Sequence, residues 1–197
     1  MVLTVIGVLI LIVVVISLLG TMTVVKQPTV TKEPSPPPNT TYSILGNPSV
    51  EASFINRVLD HYDSPARGTG QTLYDLGVKH GVDPVFPLAF FMHESSFGKA
   101  GVARYTHSLS NMRCIPDYPC YRDAVNGGYA YFATWEQSYE AWYVLITGPV
   151  YVGSGLTTVD TIIPRYAPSA DKNNPNAYIA FLKRAADTWR SGEVVVS

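Results

Sequence analysis

Seven consecutive residues, Phe86–Met92, carry no polar side chain, and the next two are His93 and Glu94. A run of this kind reads as core, so any fold the chain adopts must bury it and still end it on a carboxylate. Asp83-Pro84 supplies an N-cap and a first-turn proline for a helix that ends near Gly98. Glu94 then lies at the C-terminal end of that helix, behind Phe90, Phe91 and Met92. Apolar neighbours disfavour the ionised carboxylate and raise its pKa, and the negative end of the helix macrodipole acts in the same direction. A carboxylic acid kept protonated near neutral pH is what glycosidic bond cleavage requires, because the leaving oxygen must be protonated as the bond breaks. The same spacing also fits a last-turn glutamate that points into water.

Other chemistries fit less well. His93-Glu94-Ser95-Ser96-Phe97 begins like H-E-x-x-H, but a zinc site of that type needs a second histidine at 97 to put two ligands on one helix face, and phenylalanine stands there. No metal and no cofactor is implied. The net charge is −1, from 14 basic and 15 acidic residues, and no basic run occurs, which argues against a nucleic-acid partner.

Residues 2–25 contain no charge and are dominated by Val, Ile and Leu. Twenty-four residues of helix span roughly 36 Å, enough for a bilayer core with some tilt. The run lacks a basic leader and an A-x-A site and exceeds a usual signal-peptide core, so it reads as a transmembrane anchor rather than a cleaved signal. Residues 26–50 are rich in Pro, Thr and Ser and read as an extended linker or stalk. Lys26 and Lys32, counted alone, would keep the following domain in the cytoplasm. Cys114 and Cys120 point the other way: their spacing suits a small disulfide loop, although two free thiols fit the same residues. With the export segment, the disulfide favours a membrane-anchored, extracytoplasmic domain.

Residues 51–191 read as one domain with a short tail at 192–197. Phe54, Ile55, Val58, Leu59 and Tyr62 form one helical stripe, and a second helix covers about 72–79. Thr134-x-x-Gln137 is a capping box before a stripe of Trp135, Tyr139, Trp142, Tyr143 and Ile146. Thr157-x-x-Asp160 opens another helix. Asn174-Pro175 opens the last, with Tyr178, Phe181, Leu182, Ala185, Ala186 and Trp189 on one face. Residues 105–133 break this periodicity and carry turn signals at Asn126-Gly127-Gly128, which predicts a small two- or three-stranded lobe pinned by the cysteine loop. The fold class is therefore α+β and mostly α: a helical body with a small β lobe, preceded by one transmembrane helix.

The segments AFFMHESSFGKAG, SLSNMRC, YAYFATWEQSYEAWYVLI and YAPSADKNNPNAYIAFLKRAADTWR together resemble the glucosaminidase domain of glycoside hydrolase family 73, over about residues 70–190. That family belongs to the lysozyme-like superfamily and cuts bacterial cell-wall peptidoglycan. The resemblance implies a lysozyme-like body, peptidoglycan glycan strands as the partner, and endo-β-N-acetylglucosaminidase activity with Glu94 as general acid. It implies that Tyr166 faces the acid across the sugar cleft and that Asn111 lines its floor. The acidic residue that many members take from the β lobe has Asp123 and then Asp117 as its candidates here. Phe97, Tyr118 and Tyr121 are the candidate sugar-stacking aromatics; Tyr131 and Trp135 fit the core equally well. A lytic transglycosylase or muramidase preference, and a glycan-binding module without turnover, stay open. Oligomeric state is not legible.

Overall fold

The computed structural model describes residues 42–125 and 127–197. The expected anchor at 2–25 and the stalk as far as residue 41 lie outside them. Among the described residues no helix is long and apolar enough to cross a membrane.

Among the described residues, five long α-helices and two shorter ones enclose one apolar core. They are α1 (Ala52–His61), α2 (Gly70–His80), α3 (Val85–Ser95), α4 (Ala103–Thr106), α5 (Trp135–Thr147), α6 (Val159–Tyr166) and α7 (Pro175–Arg190). A hairpin of β1 (Cys120–Asp123) and β2 (Gly127–Ala130) stands between α4 and α5. The α+β, mostly helical layout expected from the sequence is the one found.

The apolar run forms the centre of the fold. Phe86, Leu88, Ala89, Phe90 and Phe91 are each at most 1% exposed. A fully buried Phe or Leu contributes about 1.5–3 kcal/mol, and Phe90 and Phe91 of α3 pack on Trp142 and Tyr139 of α5, Tyr166 of α6 and Tyr178 of α7. The stripe on α7 lies along α3. The two helices run antiparallel and are tied at both ends. Near one end, Arg190 Nη2 donates to Asp83 Oδ2 at 2.9 Å. Near the other, the Tyr178 hydroxyl donates to Glu94 Oε1 at 2.6 Å. Residues 178 and 190 are about 18 Å apart along their helix and 83 and 94 about 16 Å along theirs, at 1.5 Å per residue. The two ties therefore set one register.

Asp83 does more than pair with Arg190. Its Oδ1 accepts from the backbone N–H groups of Ser49 (3.0 Å) and Val85 (3.2 Å), so it caps α3 although Pro84 is the residue that adjoins the helix. Thr134 caps α5 and Asn174 caps α7 as expected, with Pro175 in the first turn. One cap is displaced by a residue: α6 is opened by a reciprocal box between Thr158 and Thr161, not by Thr157 and Asp160.

Two boundaries also move. Residues 42–50, assigned from composition to the stalk, belong to the body. Ile44 is fully buried, Ser43 and Leu45 bridge to Thr158 and Val82, and the Tyr42 hydroxyl donates to Asp187 at 2.6 Å. The C-terminal residues dock as well. Val194 O accepts from Trp189 Nε1 at 3.0 Å, and the Val196 N–H donates to the Tyr62 hydroxyl at 3.0 Å.

In the β lobe, Cys120 pairs with Ala130 and Asp123 with Gly127. Cys114 and Cys120 form the expected disulfide. It lies over Gly128, where a Cβ would stand 2.6 Å and 2.8 Å from the two sulfurs, so only glycine fits.

Asp83→Ala would leave the half-buried Arg190 without its carboxylate and two N–H groups without an acceptor. The expected loss is about 3–5 kcal/mol, read as a lower urea midpoint with an unchanged slope.

Candidate active site

Glu94 occupies the end of α3 because the chain stops the helix there through specific contacts. The last carbonyls of a helix lack intrahelical partners, and here several are met by the chain that follows. Phe91 O accepts from Phe97 N, Met92 O from Ser96 N, and Ser95 O from Ala100 N. Glu94 O accepts from Asn111 Nδ2 at 2.7 Å. Ser95 is buried; its Oγ donates to Leu109 O and accepts from Gly98 N, both at 2.8 Å. Ser96, Phe97 and Gly98 all take positive φ, and a Cβ on Gly98 would come within 2.9 Å of Leu109 and 3.0 Å of Trp135. The E-S-x-F-G sequence is thus a helix stop that ties the 107–111 loop to the acid.

Glu94 faces a cleft of about 650 Å³ between the helical body and the β lobe. Ser110, Asn111, Arg113 and Tyr129 line it from the lobe side; Tyr166, Asp171, Asn173 and Tyr178 line it from α6, the following turn and α7. Burial raises the Glu94 pKa, and the hydrogen bond from Tyr178 opposes that rise only in part. Burial, and then the nearby Glu94 charge, holds the Tyr166 and Tyr178 phenols well above the ordinary tyrosine value, so both stay protonated. Phe90, one turn before Glu94, supports both rings: its centroid is 5.0 Å from Tyr166 and 5.7 Å from Tyr178. His93 stacks flat on Tyr178 at 3.7 Å, and burial lowers its pKa, which leaves it neutral at neutral pH. The arrangement can hold a protonated carboxyl against a bound ligand and donate from it.

Of the residues singled out in the sequence, Glu94, Asn111 and Tyr166 share this cleft. The rest stand elsewhere. Phe97 is fully buried against Tyr62 and Trp189 and cannot stack on a sugar. Tyr118 packs on Phe132, and Tyr121 stacks with Tyr105; neither lines the cleft. Asp117 is exposed in the cysteine loop. Asp123 accepts from Val125 N in the hairpin turn and does not line the cleft either. Among the described residues, the carboxylates that line it are Glu94 and Asp171. Asp171 and Tyr178 are cleft residues that spacing does not mark. Asp171 lies within the YAPSADKNNPNAY segment, and Tyr178 falls on the apolar stripe of α7. A tyrosine on such a stripe needs a partner for its hydroxyl, which was the available signal. No group of three or more His, Cys, Asp and Glu side chains among the described residues converges as a metal site requires.

A helical body, a two-stranded lobe and a half-buried carboxyl at their junction make up a mostly helical α+β fold. A solved peptidoglycan hydrolase from Sphingomonas sp. A1 has this fold. It matches with a TM-score of 0.50 and 13% identity, over 75% of this chain and 97% of that one. The catalytic domain of the autolysin Auto from Listeria monocytogenes matches with a TM-score of 0.47 and 12% identity, over 70% of this chain and 85% of that one. No family model and no curated protein matches the chain.

Two outcomes follow from the geometry. In Tyr178→Phe the Glu94 carboxylate loses a donor, so its pKa rises further; the carboxyl titration followed by NMR moves to higher pH. A raised folded-state pKa favours the protonated fold, so this contribution is complete below the ordinary glutamate value of 4.5 and is lost as pH climbs through the folded value. Glu94→Gln, which cannot ionise, therefore melts above wild type at neutral pH, and the difference shrinks as pH falls through the raised folded-state value and is gone below about 4.5.

Proposed function

We propose that this protein cuts the glycan backbone of bacterial peptidoglycan with Glu94 as general acid. The observation that carries the proposal is the desolvated Glu94 carboxyl, its pKa raised by burial, in a cleft large enough for a saccharide. The fold shared with a solved peptidoglycan hydrolase supports it, as does the family resemblance of the sequence. In the proposed reaction Glu94 protonates the glycosidic oxygen as the C1–O bond breaks. Tyr178 keeps the carboxyl oriented before transfer and stabilises the carboxylate after it. The finer assignment is an endo-β-N-acetylglucosaminidase.

For a second carboxylate, Asp171 replaces Asp123 and Asp117, because it lines the same cleft as Glu94. Direct inversion would use it to activate a water, at a carboxyl separation of about 6.5–9.5 Å. Without such a base, an intramolecular hydroxyl attack would give an anhydro sugar, as in a lytic transglycosylase.

The disulfide fits an oxidising compartment. Together with the uncharged segment at 2–25 it supports an extracytoplasmic enzyme anchored in the membrane, with the Pro-rich residues up to 41 as the stalk.

The test uses the full chain with purified peptidoglycan and reads the products by mass spectrometry after borohydride reduction. Reduced N-acetylglucosamine ends are expected. Glu94→Gln should lower their release by about 10²–10⁴-fold, and Asp171→Asn should lower it as well. Reduced N-acetylmuramic acid ends would make the enzyme a muramidase, and anhydro ends a transglycosylase. Binding to the wall without any release would sink the enzyme reading and leave a glycan-binding module.

A further inference from the structure

A second cavity, of about 410 Å³, adjoins the cleft. The two share one lining residue, His93. With about 3.6 residues per turn of α3, Met92 and Glu94 project to opposite sides of His93. Met92 lines this cavity and Glu94 lines the cleft, so the His93 ring forms the ridge between them. The ring is held in place: it stacks on Tyr178 at 3.7 Å and meets Phe181 edge-on at 5.1 Å.

The walls of this cavity differ from those of the cleft. Tyr62, Met92 and Phe181 form them, and the fully buried Phe97 backs them. The Tyr62 hydroxyl is already engaged by the Val196 N–H. A sugar ring, with a hydroxyl on most of its carbons, would leave several of them unpaired here. The exposed Ser96 and Lys99 complete the lining. Positive φ at Ser96, Phe97 and Gly98 turns the chain back, which returns Lys99 to the end of α3. No carboxylate lines the cavity, and among the described residues none forms an ion pair with Lys99. Arg184 brings a second cation close by, its guanidinium carbon 5.6 Å over the Phe181 ring. The ligand that matches is small, apolar along its length and negatively charged.

We propose that this cavity binds a short peptide that branches from a sugar in the cleft, crosses His93 and sets a carboxylate against Lys99. In peptidoglycan that peptide is the stem: its alanine methyls suit the apolar walls, and it carries free carboxylates. The inference rests on the glycan-strand reading above and adds to it a preference for strands that keep their stems. A stripped strand fills the cleft and leaves the second cavity empty.

The test uses the full chain with its methionine methyls labelled for NMR. Met92 lines the cavity and Met112 lines the cleft, so one label reports on both. The probe is a free, N-acetylated stem tetrapeptide, alanyl-γ-glutamyl-lysyl-alanine with D residues at its second and fourth positions. It should shift the Met92 methyl saturably and leave the Met112 methyl in place. Converting its carboxyls to methylamides, or substituting Lys99→Glu, should weaken this binding about fivefold. In the Glu94→Gln background, which removes turnover, stem-bearing strands should bind about fivefold more tightly than stripped strands, and adding Lys99→Glu should abolish the difference. A tetrapeptide that moves Met112 and not Met92, or that moves neither, overturns the proposal, as does binding unchanged by Lys99→Glu. Release of cut strands by wild type is read separately. The expected Met92 response in a protein that cuts no strand would overturn the hydrolase reading and leave this one standing, and cutting without that response would do the reverse.

Discussion

The packing of α7 along α3 is the contact on which the cleft depends. It is mostly aromatic and aliphatic, so it supplies burial but little register by itself. Register comes from the polar ties at its ends. A slip of one turn, about 5.4 Å, would leave Asp83 and Arg190 unpaired inside the protein and take Tyr178 away from Glu94. Both penalties are large relative to the stability of a domain of this size. The acid is therefore oriented by the same constraint that aligns the two helices, and the site needs no separate scaffold.

The β lobe is the other half of the cleft, and it is small. Its two strands hold four residues each, too few for stability without further support. That support comes from the disulfide over Gly128, from the bond between Met112 O and Ala130 N, and from the link between Asn111 and the backbone of Glu94. The last link joins lobe to body at the acid itself. A lobe mounted in this way brings Arg113 and Tyr129 to the site as fixed parts of its wall.

Burial and hydrogen bonding act in opposite directions on Glu94. Burial raises its pKa; the Tyr178 hydroxyl, 2.6 Å away, favours the ionised form. In the proposed general-acid role both would count: desolvation favours the protonated form, and one donor is in place to receive the carboxylate that forms. Tyr178 stays a donor throughout because its own pKa is pushed up by burial and by Glu94.

Much of this was legible in the residues. The helical stripes, the Asn174 cap, the cysteine loop, the break in periodicity at the lobe and the placement of a carboxyl at the end of a buried run are all set by neighbours within a few positions, and spacing reports them. What spacing cannot report is which atoms meet across the fold. The stripe on α7 marks Tyr178 as inward but not as the partner of a residue 84 positions earlier. Motif position made Phe97 a candidate for sugar contact, whereas a left-handed backbone at residues 96–98 turns it into the core. Asp123 and Asp117 had the right chemistry and the right lobe, but strand direction and the cysteine loop leave them off the cleft, while a turn after α6 brings Asp171 to it. The sequence by itself determined that an acid would stand at the end of a buried helix. Only the tertiary structure decided its company, because hydrogen-bond partners and cleft walls are settled by how helices and lobe pack, and that packing balances contacts from the whole chain at once.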